Sequence, residues 1–388
     1  MKNGTIRFVK HTKDALCYSW INLLLVFVPI GIASHLAHLG PEIVFAMNAV
    51  AIIPLAGLLS HATEAVAARL GDTLGALLNV SFGNAVELIL FIILLAGDQI
   101  RVVQAALLGS ILANLLLILG MAFLLGGLRF QEQVYNSTVT QMSACMLSLA
   151  VMSLLLPTAF HSAFSNYDTA DRETLYVSRG TSVVLLLVYI LYLLFQLKSH
   201  SYMYASTPQH IIDEESHPGH VMSRTAAVVM LMISTALVAV CADFMSDAIE
   251  PMVEKTNVSA AFIGLIILPI VGNAAEHVTA VTVAAKNKMD LAIGVAVGSS
   301  IQIAIFITPF IVILGWIMNK EMSLYFNIFE TVALFVTAFV VNFLVLDGRS
   351  NYLEGSLLIA AYVIIALSSF FYPDGCDASP IGGQEGTC

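Results

Sequence analysis

Eleven stretches of this chain are apolar over a length that crosses a bilayer: 18-38, 43-68, 74-96, 102-127, 138-160, 180-197, 223-249, 258-284, 290-317, 323-346 and 353-372. A spanning helix needs about 20 consecutive apolar residues, and within lipid only helices or closed barrels satisfy every backbone N–H and C=O. Runs of this length predict an all-α polytopic membrane protein of about eleven transmembrane helices. The composition agrees: of 388 residues, 59% are hydrophobic and 11% charged, with a mean hydropathy of +0.89, too apolar for a soluble domain. A net charge of −10 offers no basic surface to a phosphate backbone, which excludes nucleic acid as a partner. The five cysteines, Cys17, Cys145, Cys241, Cys376 and Cys388, form neither a CxxC pair nor a zinc spacing; Cys376 and Cys388 could pair in the tail.

The first run follows a basic segment, Met1 to Asp14, without a small-residue cleavage site, and reads as a retained helix. With the N-terminus cytoplasmic, eleven of the sixteen Lys and Arg fall on the cytoplasmic side, the bias of the positive-inside rule. The chain then divides into a cytoplasmic N-terminus with an additional first helix (1-42), a five-helix unit (43-197), a cytoplasmic linker (198-222), a second five-helix unit (223-372) and a lumenal C-terminal tail (373-388). The acidic cluster Asp213, Glu214 and Glu215 reads as an exposed part of the linker. Sequons at Asn79, Asn136 and Asn257 are expected to carry little or no glycan, being in a span, on the cytoplasmic side and against the bilayer, respectively.

The two units are copies. Gly83-Asn84-Ala85-Val86-Glu87 and Gly272-Asn273-Ala274-Ala275-Glu276 match at four of five positions, 189 residues apart, and the same offset relates Gly109-Ser110 to Gly298-Ser299 and Gly75 to Gly264. A shared offset over two consecutive runs marks an internal duplication. The copies lie five spans apart, an odd number, so they face opposite ways. Two inverted five-helix repeats are a common plan of secondary transporters, with the site at the repeat interface near mid-membrane.

Each copy carries a carboxylate, Glu87 or Glu276, deep in an apolar run, where it must be protonated, paired or bound to a cation. No Lys or Arg lies deep in any run, so the counter-charge is expected to be mobile: a metal ion or a proton. Helical spacing sets Asn84 and Gly83 beside Glu87, and Asn273 and Gly272 beside Glu276. The glycines, with Pro269, permit irregular backbone whose carbonyls line a cavity. Ser110, Ser299 and Gln302 supply further oxygens. Oxygen-only donors with two anions suit a hard divalent cation such as Ca2+; soft metals would call for Cys or His. Desolvation favours a neutral carboxyl and a bound cation an ionised one, so metal and protons compete for one site.

At these residues the chain resembles the calcium/proton exchanger (CAX) family of the calcium:cation antiporter superfamily, fungal vacuolar type. The likeness is carried by Gly272 to His277 with Gly298-Ser299-Ser300-Ile301-Gln302, and by Asn79 to Leu88, and spans about His61 to Tyr372. It implies an antiporter moving cytosolic Ca2+ against lumenal H+ across the vacuolar membrane, with Glu87 and Glu276 as central ligands. The chain departs from the family in two places. Fungal members can carry a strongly acidic helix between the halves, where this chain has only Asp213 to Glu215, and about seventeen residues precede the first run, short of the inhibitory extension of plant-like members.

Titratable residues elsewhere in the runs carry two readings each. Glu64, Asp243 and Asp247 are candidates for an ion pathway or for helix pairing, as is Glu330, and His277 for a proton relay or a packing role. Ca2+ and H+ are the expected cargo, Mn2+ a second candidate because it also takes oxygen ligands, and no cofactor or enzymatic activity is expected. A Na+-coupled Ca2+ exchanger is the alternative; it needs more ligands, and the first copy has Ala113 where the second has Gln302. A cation channel with a carboxylate filter is the reading from another class, against which inverted repeats argue. The sequence does not set the oligomeric state.

Overall fold

The computed structural model describes residues 20–68, 70, 75, 78, 82–199, 224–256 and 258–372. The linker cluster Asp213 to Glu215, Asn79, Asn257, Cys17, Cys376 and Cys388 lie outside these residues. The described chain forms helices α1 (Trp20–Leu36), α2 (Pro41–Ala67), α3 (Ala85–Ala96), α4 (Ile100–Phe130), α5 (Ser137–His161), α6 (Tyr167–Ser199), α7 (Arg224–Lys255), α8 (Ala260–Gly272), α9 (Ala274–Ala284), α10 (Met289–Ile317), α11 (Ile328–Leu344) and α12 (Tyr352–Phe370). Seven of them, α2, α4, α5, α6, α7, α10 and α12, are long and apolar enough to cross a membrane, and α8 with α9 passes the same test as one bent span. The apolar helices α1, α3 and α11 are shorter. Every one of the eleven apolar runs thus contains a helix, although not every helix fills its run.

Two runs expected to be continuous are broken at their repeated Gly-Asn. In the run 74-96, Phe82 is helical, Gly83 and Asn84 form a turn and α3 starts afresh at Ala85, and 258-284 bends by 57° at Asn273 between α8 and α9. Asn84 (φ −95°, ψ 34°) and Asn273 (φ −93°, ψ 12°) leave helical geometry in nearly the same way. Neighbouring glycine lets the backbone turn here without a side-chain clash. The run 180-197 is an underestimate: α6 spans 33 residues, about 50 Å at 1.5 Å per residue, because its polar first turns extend the helix beyond the apolar stretch. The run 323-346 starts too early, since residues 318–327 are not helical. Met322, Leu324 and Phe326 of this segment are buried, and hydrogen bonds pin it to three helices: Gln104 Nε2 donates to the Ser323 carbonyl (2.9 Å), Leu324 N to Ser178 Oγ (2.9 Å) and Phe326 N to Thr158 Oγ1 (3.0 Å).

Helix α4 forms the centre of the bundle, largely buried, whereas α6 and α12 expose most of their spanning surface. The exposed side chains are apolar: Leu187, Leu191 and Leu194 on α6, Phe335, Phe339 and Phe343 on α11, Leu353, Leu357 and Ile364 on α12. Such continuous stripes suit lipid and not water. Helix α4 crosses α8 closely because a glycine stands on each: a Cβ on Gly264 would come within 2.7 Å of Ala105 Cβ, and one on Gly109 would run into the Leu265 carbonyl. Widened π-helical turns interrupt α4 at Ala113–Ile118 and α10 at Ile303–Ile307, segments that coincide under the 189-residue offset. One end of the bundle is tied by an antiparallel ribbon that the apolar pattern did not foretell, β1 (Glu132–Val134) with β2 (Arg349–Asn351). Beside it Gln133, fully buried, donates to the Ala284 carbonyl (2.9 Å) and to Asn287 Oδ1 (3.0 Å).

Candidate functional site

Both repeated glutamates occupy the third position of a helix that starts afresh inside the bundle, Glu87 in α3 and Glu276 in α9. This differs from the expected placement in the middle of a continuous span. A fresh N-terminus presents unpaired N–H groups and the positive end of a helix dipole, both of which favour an anion. The sequence motif is therefore a device for opening a helix as well as for placing a carboxylate.

The two half-sites meet. Glu87 is 2% exposed, stands beside Ser110 and Asn273, and acts electrostatically on Glu276. Neither Glu87 oxygen has a hydrogen-bond partner among the described residues. Glu276 Oε1 accepts from Ser299 Oγ at 3.1 Å, while its Oε2 has no partner there. Three of the four carboxyl oxygens are thus unsatisfied and directed into the protein, a costly arrangement unless something binds them. Gly272 eases the approach: a Cβ there would lie 3.2 Å from Glu87 Cγ, a tight contact. Asn84 Nδ2 donates to Gln302 Oε1 at 3.4 Å, the two side chains coming from opposite copies.

These groups line one cavity of about 190 Å³. At roughly 10–15 Å³ of such space per water, it holds on the order of ten waters, enough for a hydrated ion. Asn84, Glu87, Gly272, Asn273, Glu276, Ser299 and Gln302 lie on its wall, with Gly83, and it extends past Ser60 and Glu64 of α2, Thr140 and Ser143 of α5, Gln196 of α6 and Asp290 of α10. Those residues belong to the end of α2, the start of α5, the end of α6 and the start of α10, so the cavity runs toward one face of the bundle. At that face the Asn136 side chain caps α5, and its backbone N–H donates to Asp290 Oδ1 at 2.7 Å.

Among the sequence candidates, Ser110 is buried next to Glu87 and is not on the cavity wall. Glu64 reaches the wall and accepts from Ser60 Oγ at 3.2 Å. Asp243 and Asp247 are exposed on α7 and do not line the cavity. The ring of His277 turns its Nδ1 to the Asn273 carbonyl (2.7 Å), and its buried Nε2 has no partner among the described residues. Sequence reasoning did not single out Asn114, which is 0% exposed, has no partner for either amide atom among the described residues and does not line the cavity. It stands one turn beyond Ser110, in the π-helical segment of α4. Its signal was the i, i+4 spacing from Ser110, obscured because the repeat offset sets Ala113, not Asn114, against Gln302. Among the described residues no three His, Cys, Asp or Glu converge, so a bound metal would depend on two carboxylates plus amide, hydroxyl and backbone oxygens.

A membrane bundle with two carboxyls facing each other in an oxygen-lined cavity, and no Lys or Arg among the described residues on its wall to neutralise them, is a transporter of cations. The sodium/calcium exchanger protein model matches residues 42–198 and 226–371, and the chain belongs to that family. It is 47% identical over 368 residues to a vacuolar calcium ion transporter of Schizosaccharomyces pombe, covering 95% of this chain and 89% of that one. It is 45% identical over 360 residues to a Ca(2+)/H(+) antiporter of Aphanothece halophytica, covering 90% and 96%. Of solved structures, that of native YfkE aligns with a TM-score of 0.78 at 33% identity, covering 91% of this chain and all of the other. The resemblance to calcium/proton exchangers drawn from the motifs holds.

Proposed function

We propose that the protein exchanges cytosolic Ca2+ for lumenal H+ across the vacuolar membrane by alternating access, with Mn2+ as a second cargo. The observation that carries this reading is the convergence of Glu87 and Glu276, each on a helix N-terminus, with three of four oxygens unpartnered among the described residues. Ca2+ takes six to eight oxygens in flexible geometry; the two carboxyls, the amides of Asn84, Asn273 and Gln302, and the hydroxyls of Ser110 and Ser299 form the donor pool. The names of relatives at 40–47% identity, which speak of calcium transport or cation/proton exchange, support proton coupling over the Na+-coupled alternative.

The geometry accounts for obligatory exchange. One ionised side chain at mid-membrane costs about 2.5–3.5 kcal/mol on the insertion scale. An empty site with both glutamates ionised is therefore penalised by roughly 5–7 kcal/mol, a factor on the order of 10⁴ in reorientation rate. Ca2+ cancels both charges, and two protons do the same, so either loaded form can switch and the empty one does not. The internal repeat, read as two inverted five-helix units behind α1, supplies the two related conformations. With the N-terminus cytoplasmic, the cavity face formed by the end of α2, the start of α5, the end of α6 and the start of α10 is the cytoplasmic one. This conformation is then the one that loads Ca2+.

Purified protein in sealed vesicles with an acid interior, without Na+, is expected to take up Ca2+ while the pH gradient dissipates, and to stop when a protonophore is added. Uptake indifferent to the pH gradient would overturn the proton coupling; repeating it with a Na+ gradient separates a Na+-coupled exchanger from a channel.

A further inference from the structure

The bundle buries a third carboxyl, at the end opposite the cavity mouth. Glu330 lies in the first turn of α11, 1% exposed, and neither oxygen has a hydrogen-bond partner among the described residues. Helix α11 packs against α5 and the first half of α4. Each brings one ionisable group to this end. On α5 it is His161, 5% exposed, whose Nε2 lies 2.8 Å from the Asp171 carboxylate and whose ring stacks on Tyr325 at 3.8 Å. On α4 it is Arg101, the charge that acts on Glu330. Its Nη1 nevertheless donates elsewhere, to Gln104 Oε1 (2.7 Å) and the Tyr325 carbonyl (3.5 Å). Tyr372 completes the set, its hydroxyl bonded to Asn327 Oδ1 at 2.9 Å.

A carboxyl sealed from solvent with both oxygens idle is not a stable structural element in either charge state. Ionised, it has only the Arg101 charge and the Asn327 backbone at the helix start beside it, few donors for a buried anion; protonated, its O–H has no acceptor among the described residues. The group is instead suited to gain and lose a proton as its surroundings open. Its position favours that role: Asp171, 67% exposed, holds His161, whose ring stacks on Tyr325, and Arg101 donates to the Tyr325 carbonyl, so a chain of contacts among ionisable and polar groups leads from the outside to the start of α11. Among the described residues, Arg101 is the charge that faces it from the helices packed on α11.

Resting on the exchange reading above, we propose that Glu330 is a lumenal proton-binding residue of the exchanger. It accepts one proton from lumenal water and passes it, through water, to the Glu87–Glu276 pair when that pair faces the lumen. One O–H bond forms as another breaks at each transfer, and no other reactant is consumed. Glu330 would thus set how lumenal pH controls Ca2+ release without being a Ca2+ ligand.

The test is Ca2+ uptake by the full chain in sealed vesicles, with external pH fixed and internal pH varied from about 5 to 7.5. For Glu330→Gln the expected result is a flattened dependence on internal pH and a rate at the acid plateau lowered about fivefold to tenfold, with Ca2+ binding in detergent within twofold of wild type. Arg101→Gln should move the profile toward higher pH, since ionised Glu330 then loses its counter-charge, and Glu330→Asp should restore most of the pH dependence. A Glu330→Gln profile parallel to wild type would overturn the proposal and leave Glu330 a packing partner of Arg101. If Glu330→Gln does not fold, an Arg101→Gln profile at the wild-type position overturns it equally. Wild-type protein that takes up no Ca2+ against protons would instead refute the exchange reading itself.

Discussion

The two copies of the site differ in how they are packed, and the difference is informative because their sequences are so alike. In the first copy, Gly109 on α4 is pressed against the Leu265 backbone of α8, and Ser110 is buried beside Glu87. In the second, the matching Gly298 has nothing within 4 Å among the described residues, and Ser299 and Gln302 line the cavity. The first-copy serine is sealed away from the cavity and the second-copy serine faces it. Two halves with matching residues in different surroundings are what a protein needs if it exposes one site to two sides in turn, since exchanging the surroundings would move the opening to the other face.

The comparison is broken most severely by removing what the halves share. Glu87→Gln and Glu276→Gln each keep the shape and delete a charge and a titrating proton, and each is expected to lower Ca2+ uptake in vesicles by more than about 100-fold with expression retained. Normal uptake in either variant would remove that glutamate from the site. Next comes the difference itself. Gly298 lies on the cavity wall with nothing within 4 Å of an added Cβ among the described residues, so Gly298→Val is expected to fold and still to bind Ca2+ in detergent. It should lose at least about tenfold in exchange, because the opposite conformation would bring that position against backbone as Gly109 is now. Retained exchange would mean that the two crossings do not alternate.

A smaller contrast lies in the serines. Ser299→Ala deletes a hydrogen bond to a carboxylate, generally about 1.5–3 kcal/mol, but cavity water can replace part of it. Calcium titration is expected to find a threefold to tenfold weaker apparent affinity, against less than threefold for Ser110→Ala. The reverse order would place the first copy, not the second, in control of Ca2+ loading. The smallest effect is expected outside both halves: Asp213→Asn with Glu214→Gln and Glu215→Gln should change the initial uptake rate less than about twofold. Abolished transport would make the linker a working part of the exchanger.

Much of the site was legible in the chain because membrane burial makes polar residues conspicuous. Glu87 and Glu276 stand out against apolar surroundings, and the fixed 189-residue offset pairs them from the order of residues alone. Asn114 did not stand out, since the 189-residue offset sets it against the apolar Ile303 and so gives it no polar counterpart. Glu64 and Asp243 were indistinguishable as sequence, each an acid near the end of an apolar run. Only packing turns the first into the cavity and leaves the second exposed on α7.

By itself the sequence determined the helical class, the approximate place of each span, the duplicated motif and the oxygen-donor chemistry. These follow from local rules: lipid requires internally bonded backbone, and a buried carboxyl must find a counter-charge. The tertiary structure decided where helices break, so that both glutamates sit at the start of new helices, how Gly272 admits Glu87, and which copy's serine faces the cavity. It also decided that Glu330 is sealed without a partner among the described residues. Those outcomes depend on the close approach of segments far apart in the chain, and apolar periodicity, which registers only whether a residue prefers lipid or water, is the same for either arrangement.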